Sequence, residues 1–313
     1  MQPHSFKKIL SLGALLIVVT VGMAYGHYRL LGIESYFDLA LYRLLGAFLV
    51  GASLSLTGFV LQSVFQNELA EPYTLGISSG ASLGAVVASA FFGGMHFLNI
   101  QVGSAIGGLT FSGILVLLMI RSQAGAAYFL LTGMMLGLLG SSGVALIYAM
   151  KDPAGIFGAL HWLLGDISRM TPFGCGLIIV FLLPTCWYTL RHSREIELLR
   201  FGDELARSMG VDVRRVRREL LLFSALLVSV TVAWAGIVGF VGLMIPHFVR
   251  SLRLRFETER VIAVTFLGGT ALVFADVLGR VLFFPVEVPI GVITTLIGAP
   301  WFIVFLYRRG WQG

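Results

Sequence analysis

The sequence predicts an all-α polytopic membrane protein, and three observations carry that prediction. Apolar runs of roughly 20 residues recur along the whole chain, each long enough to cross a hydrocarbon layer about 30 Å thick as one helix. The basic residues are distributed unevenly between the connections that join these runs. Composition agrees: 57% of residues are hydrophobic and only 12% are charged, against about a quarter in soluble domains.

Ten segments can be read, at 9–26, 41–62, 74–92, 100–120, 128–149, 173–190, 217–235, 238–250, 261–281 and 289–307, the eighth being short for a full span. With Lys7 and Lys8 placed in the cytoplasm, the connections on that side hold 17 of the 22 lysines and arginines. They include eight arginines between Arg191 and Arg218 and four between Arg250 and Arg260. The other side keeps Arg29, Arg43, Lys151, Arg169 and Arg280. This asymmetry predicts that both ends lie inside, with residues 1–313 forming one membrane domain. The pI of 9.6 is then a topology signal and not a nucleic-acid footprint, because no stripe of interleaved basic and aromatic residues accompanies the charge.

The first segment, preceded by Lys7-Lys8, also fits a secretory signal peptide. Tyr25-Gly26-His27 is a poor cleavage site, and retaining the segment makes the helix count even, so it is read as a helix. In the third to fifth segments, Gly76, Gly80 and Gly84, then Gly103 and Gly107, then Gly133 and Gly137 recur every fourth residue. Small residues on successive turns let helix backbones approach closely, which predicts a compact bundle. The sixth segment carries both cysteines, Cys175 and Cys186, eleven residues apart in one predicted helix, too far for a bridge. No two histidines stand at i,i+3 or i,i+4 spacing, so no metal site is expected.

The prolines lie mostly at segment ends, at Pro72, Pro153, Pro172, Pro285, Pro289 and Pro300. Pro246 differs, since it interrupts the short eighth segment, whose start is already loosened by Gly236 to Gly242. Broken helices at membrane depth are tolerated where protein or a water-filled cavity covers the freed backbone, so this region reads either as a moving, pore-adjacent element or as a kinked helix.

Residues 191–216 form the longest polar stretch. Within it Asp203 and Glu204 open a short helix that places Leu205 and Met209 on one face, carries Arg207 near its end and closes at Gly210. Two helical turns are not stable alone in water and must dock on something. Asp212 is positioned to cap the helix that follows. The plain alternative is a basic loop that only sets topology. No nucleotide-binding G-x-x-x-x-G-K-[ST] run exists, so any ATP is used by another chain. An ion-driven secondary carrier would hold ionisable groups at mid-membrane, where Asp276 is the main candidate, and nothing suggests the selectivity filter of a channel.

Three blocks resemble, in order, the permease subunits of ATP-binding-cassette importers for iron-siderophore complexes, haem and vitamin B12. The first runs from Arg43 and Leu49-Val50-Gly51-Ala52 through Gly58 and Gln62 to Asn67-Glu68-Leu69-Ala70-Glu71-Pro72 and Leu75-Gly76-Ile77-Ser78-Ser79-Gly80-Ala81. The second is Gly202 to Val211. The third joins Gly239-Phe240-Val241-Gly242-Leu243-Met244-Ile245-Pro246-His247 to Ala275-Asp276, Glu287-Val288-Pro289-Ile290-Gly291-Val292 and Ile297-Gly298-Ala299-Pro300. Trp162-Leu163-Leu164-Gly165 matches as well.

The resemblance implies ten helices with cytoplasmic ends in a bacterial inner membrane. It also implies a dimer of permeases, identical or related, two separate ATPase subunits that hold ATP and Mg, and a periplasmic or surface-anchored binding protein. The permease itself is then no enzyme. By the same resemblance Gly202, Asp203, Glu204, Leu205, Ala206, Arg207, Met209 and Gly210 couple to the ATPase. Arg43 and Arg280 dock the binding protein, although an i,i+4 pair of Arg280 with Asp276 is the plain alternative. Asn67 and Leu69 form a cytoplasmic gate with Ala126 and Ala127 opposite; Glu68 stands where the family usually has proline, and Asn67 reads equally as a local cap. The path is expected along the fifth and tenth segments, with Met134, Met135, Tyr148, Thr294 and Thr295, and is expected to be mostly apolar. The expected cargo is a ferric siderophore, with haem or cobalamin as alternatives.

Overall fold

The computed structural model describes residues 11, 13–14, 18, 22, 37–91, 97–121, 126–150, 162–252, 254–282 and 287–310. The first predicted segment, 9–26, and the end at Lys7 and Lys8 fall almost wholly outside the described residues. The described residues form eleven helices and no strand: α1 (Phe37–Val64), α2 (Ile77–Phe91), α3 (Phe97–Arg121), α4 (Ala126–Met150), α5 (Pro172–Arg191), α6 (Ser193–Arg200), α7 (Asp203–Ser208), α8 (Val213–Ala235), α9 (Val241–Ser251), α10 (Glu257–Leu282) and α11 (Ile290–Gly310). Six of them, α1, α3, α4, α5, α8 and α10, are long and apolar enough to cross a membrane, while α2 and α11 carry shorter apolar stretches. This is the architecture of a polytopic membrane protein.

Helix α1 is the axis of the bundle, packed against α5, α8, α9 and α10. Its burial is possible because its polar residues are short and turn back on their own helix. The hydroxyls of Ser53, Ser55, Thr57 and Ser63 donate to the carbonyls of Leu49, Gly51, Ser53 and Phe59 at 2.6–2.9 Å. Small side chains also allow backbone-to-backbone crossings: a methyl built on Gly58 would lie 1.9 Å from the carbonyl oxygen of Gly242 in α9. The glycine spacings read from sequence serve as expected, since a methyl on Gly84 would lie 2.0 Å from the carbonyl oxygen of Gly103, and one on Gly107 would lie 2.1 Å from that of Gly80.

Two expectations need correction. Pro246 does not interrupt its segment; α9 runs unbroken through it to Ser251, and the break falls earlier, at residues 236–240. The proline removes the N–H that would have bonded the Gly242 carbonyl. The Gln62 side chain of α1 replaces it, its Nε2 donating to the carbonyls of Gly242 and Leu243 at 3.3 and 3.5 Å. Pro300 likewise lies inside α11 and not at its end. At eleven residues α9 spans about 16 Å, roughly half a bilayer core.

The remaining depth on that side is filled by irregular backbone. Three non-helical stretches, 65–76, 164–171 and 236–240, converge within the bundle, where protein covers their polar groups. Asp166 N–H donates to Ala235 O at 3.0 Å, and Ile290 N–H, at the start of α11, donates to Gly165 O at 3.1 Å. Gly236 adopts φ 67°, and a side chain there would meet the Trp162 carbonyl oxygen at 2.1 Å, which accounts for a glycine at this crossing. The third segment, expected from residue 74, accordingly starts its helix only at Ile77.

Candidate functional site

On the side carrying the arginine-rich connection, α6 and α7 form a docked ledge. Helix α6 buries Ile196 and Leu199 completely, and Arg200 reaches Glu257 at the start of α10 at 3.5 Å, where Arg260 also pairs with the same carboxylate. Helix α7 is held between two glycines in left-handed conformation, Gly202 (φ 119°) and Gly210 (φ 84°). It buries Ala206 and leaves Leu205 46% and Met209 56% exposed, with Phe201 exposed just before them. Asp212 caps α8 as read from sequence, its side chain accepting from Arg215 N–H at 3.1 Å.

Asp203 does more than open α7. Arg217 of α8, 8% exposed at its side chain, grips both carboxylate oxygens at 2.7 and 3.1 Å. Gln66 Nε2 donates to the same carboxylate at 2.8 Å. Gln66 stands one residue before Asn67, where α1 terminates with Asn67 N–H bonded to Gln62 O, and it holds φ 49°, the position at which glycine usually ends a helix. A glutamine there costs about 1 kcal/mol against glycine. What it contributes is the side chain that ties the end of α1 to α7. Arg217 and Gln66 were not singled out by sequence reasoning; a buried arginine among exposed ones has no local signature.

The expected gate residues occupy the loop that follows. Asn67 Oδ1 accepts from Leu69 N–H at 2.8 Å, the local cap named as its alternative, and Leu69 is 50% exposed. Glu68 lies 3.6 Å from the buried His247 of α9, whose ring contacts Phe302 and Phe305 of α11. The loop is therefore fastened to α9 as well as to α7. Ala127, exposed, stands in the first turn of α4, and Ala126 begins that helix.

At the opposite end, the two expected docking arginines share a charge cluster. Arg43 of α1 reaches Asp276 of α10 at 3.0 Å and Glu287 at 2.8 Å. Arg280, 6% exposed, takes the i,i+4 pair with Asp276. Asp276, the mid-membrane candidate for ion coupling, is thereby neutralised by two guanidinium groups. Glu287, with 57% of its side chain exposed, is the accessible member.

The convergence of irregular backbone leaves an open cavity of about 420 Å³. Its wall is apolar at Leu163, Leu164, Ile237, Phe240 and Val292, and polar at Tyr73, Thr295 and Glu71. Glu71 belongs to the connection between α1 and α2, and burial without a compensating charge pushes its carboxyl up to about 7 from an ordinary 4.5. Glu71 sits inside the first block of motif residues, where nothing in the sequence marked it as lining a cavity. Of the expected path residues, Met134 and Met135 are exposed on α4 and Thr295 on α11. Thr294 instead faces inward, bonded to Gly291 O, and Tyr148 packs with Val86.

Comparison with known proteins identifies relatives over most of the chain. The chain is 35% identical over 274 residues to a vitamin B12 import system permease protein of Vibrio cholerae, covering 87% of this chain and 82% of that protein. It is 33% identical over 279 residues to a hemin transport system permease protein of Yersinia pestis, covering 88% and 83%. A solved inward-facing structure described as a metal-chelate type ABC transporter superposes with a TM-score of 0.86 at 29% identity, covering 97% of this chain and 99% of that one. With the family model matched across residues 10–308, the chain belongs to the FecCD transport family, the permeases of type II ATP-binding-cassette importers.

Proposed function

We propose that the chain is the permease subunit of an ATP-driven importer that moves a metal chelate into the cytoplasm across a bacterial inner membrane. In this reading residues 1–313 form one membrane domain of ten spans with both ends inside, a second permease copy or close relative completes the path, and two ATPase subunits bound to ATP and Mg drive it. The observation that carries the reading is the exposed Leu205 and Met209 face of α7, a short helix that cannot stand alone and is hung from α1 and α8 through Asp203. An ATPase closing on that face would pull on the end of α1 and the Asn67–Leu69 gate loop through Gln66. Ala126 and Ala127 complete the gate opposite.

A binding protein delivers the cargo at the other face. Arg43 meets it by exchanging the exposed Glu287 for an incoming carboxylate, and Arg280 acts through Asp276, which it holds in place. A ferric siderophore is the first cargo class. Cobalamin is the second reading, supported by the vitamin B12 permease relative at 35% identity. The test is substitution of Met209 or Leu205 by Asp, followed by purification from native membranes in mild detergent. Loss of a co-purifying ATPase with normal membrane insertion is expected; an undiminished ATPase yield refutes the coupling surface.

A further inference from the structure

The cavity at Glu71 combines features that a packing void would not have. It has the volume of a small-molecule site and an apolar wall with few polar groups. Among the described residues the Glu71 carboxylate has neither an ion pair nor a hydrogen-bond partner, and no Lys, Arg or His lines the space. Thr295 spends its hydroxyl hydrogen on Gly291 O at 2.7 Å, and among the described lining residues Tyr73 is the only other titratable group. No described residue lining the cavity neutralises the charge, which is left to water, a proton or a ligand.

The cavity lies between α4 and α11, the helices expected to line the path. One wall is the 71–76 backbone, which is backed by the glycine stripe of α4: a methyl on Gly133 would lie 2.7 Å from Leu75 Cα. The other wall is the first turn of α11, where Thr295 and Leu296 are exposed. The carboxylate therefore sits between α4 and α11, two of the helices that present unburied apolar faces.

We propose that Glu71 forms a cargo-contacting subsite on the translocation path, taking an ammonium or other N–H donor of a passing metal chelate while the apolar wall receives its hydrocarbon body. The same carboxylate turns away chelates that present carboxylates of their own. This rests on the importer reading above. A single carboxylate without a second charged group gives a weak, quickly released contact, which suits passage. With its carboxyl near 7, Glu71 is neutral in part when the cavity is empty and becomes fully charged when a cation enters. Amide-bearing corrinoids and ammonium-bearing hydroxamates satisfy this chemistry. Haem, a dicarboxylate, does not.

The test uses the full chain, purified with whatever subunits accompany it, in lipid nanodiscs. A hydrophobic carbodiimide, which reacts with protonated carboxyl groups, is applied and modification of Glu71 is read by mass spectrometry. Three probes compete: a ferric trihydroxamate with a pendant ammonium, the same chelate with that amine acetylated, and haem. Labelling is expected to fall as pH rises through about 7. The ammonium chelate should protect at a concentration about tenfold lower than the acetylated one, the worth of one charge-assisted hydrogen bond, and haem should not protect. Glu71→Gln should abolish the difference between the two chelates in equilibrium dialysis. Equal protection by both chelates, no protection by any probe, or an unmodified Glu71 at every pH overturns the subsite. The same samples report on the importer reading separately: an ATPase that co-purifies without chelate selectivity removes the subsite alone, and selectivity in a preparation that never yields an ATPase removes the importer reading alone.

Discussion

Two 24-residue stretches, Leu41–Val64 of α1 and Ala127–Met150 of α4, have mean hydropathies of 2.0 and 1.8 and opposite surroundings, with 83% of one window buried and 11% of the other. Hydropathy measures compatibility with hydrocarbon and says nothing of whether that hydrocarbon is lipid or protein. What separates the two is the placement of small residues. In α1 they occur on every side, at Gly51, Ala52, Ser53, Ser55, Thr57 and Gly58, so four helices can close around it. In α4 the glycines form one stripe, Gly133, Gly137, Gly140 and Gly143, which meets residues 74–83, while Ser141, Ser142 and Ala145 are exposed and Leu131, Met134, Leu138, Leu139 and Leu146 are all at least half exposed.

The largest test of this contrast is Gly58→Leu in α1. Overpacking costs about 1–3 kcal/mol even where side chains can yield, and here the obstacle is the Gly242 backbone, so no folded chain should survive detergent extraction as read by size exclusion. With the proposed second permease seated on the open face of α4, Leu138→Arg should leave folding intact and give monomers in native mass spectrometry. A Leu138→Arg chain that stays dimeric would place the second copy elsewhere. Glu71, in the connection that α4 backs, sets a pH dependence. A carboxyl raised from 4.5 to about 7 contributes stability that is complete below 4.5 and is lost as pH rises through 7. Glu71→Gln should therefore gain up to about 3 kcal/mol over the native chain on the alkaline side and nothing on the acid side, measured by thermal unfolding. Gln62→Leu strands the Gly242 carbonyl that Pro246 leaves open and should cost about 1–3 kcal/mol. The smallest effect sharpens the comparison at the end of α1: Gln66→Gly relieves a left-handed glutamine and should stabilise by about 1 kcal/mol while lowering transport, because the bond to Asp203 is gone.

The helical class, the positions of most spans and the short helix α7 were legible because each rests on local signals: apolar runs of spanning length, acids at a helix start, glycines at its end. Asp212 capping α8 and the Arg280–Asp276 pair were readable for the same reason, being contacts within four residues. What escaped were partnerships across the bundle. Gln62 filling the gap left by Pro246 spans 180 positions of sequence, and Gln66 bonding Asp203 spans 137. Pro246 was misjudged because a helix-breaking residue was weighed without the donor that excuses it. Glu71 was overlooked because, inside a motif, a carboxylate looks like its neighbours; only the cavity it lines distinguishes it. A polar side chain within or beside an apolar run, at Gln62 or Glu71, was the available signal.

The glycine stripe of α4 has one more consequence. Interdigitated side chains lock two helices in register, since each must leave its hole before either can move. Gly133, Gly137, Gly140 and Gly143 offer no such teeth to the 74–83 segment. Along that seam α4 is a smooth rail, and its register is held beyond the stripe, where Val144, Ile147 and Tyr148 pack against Val86.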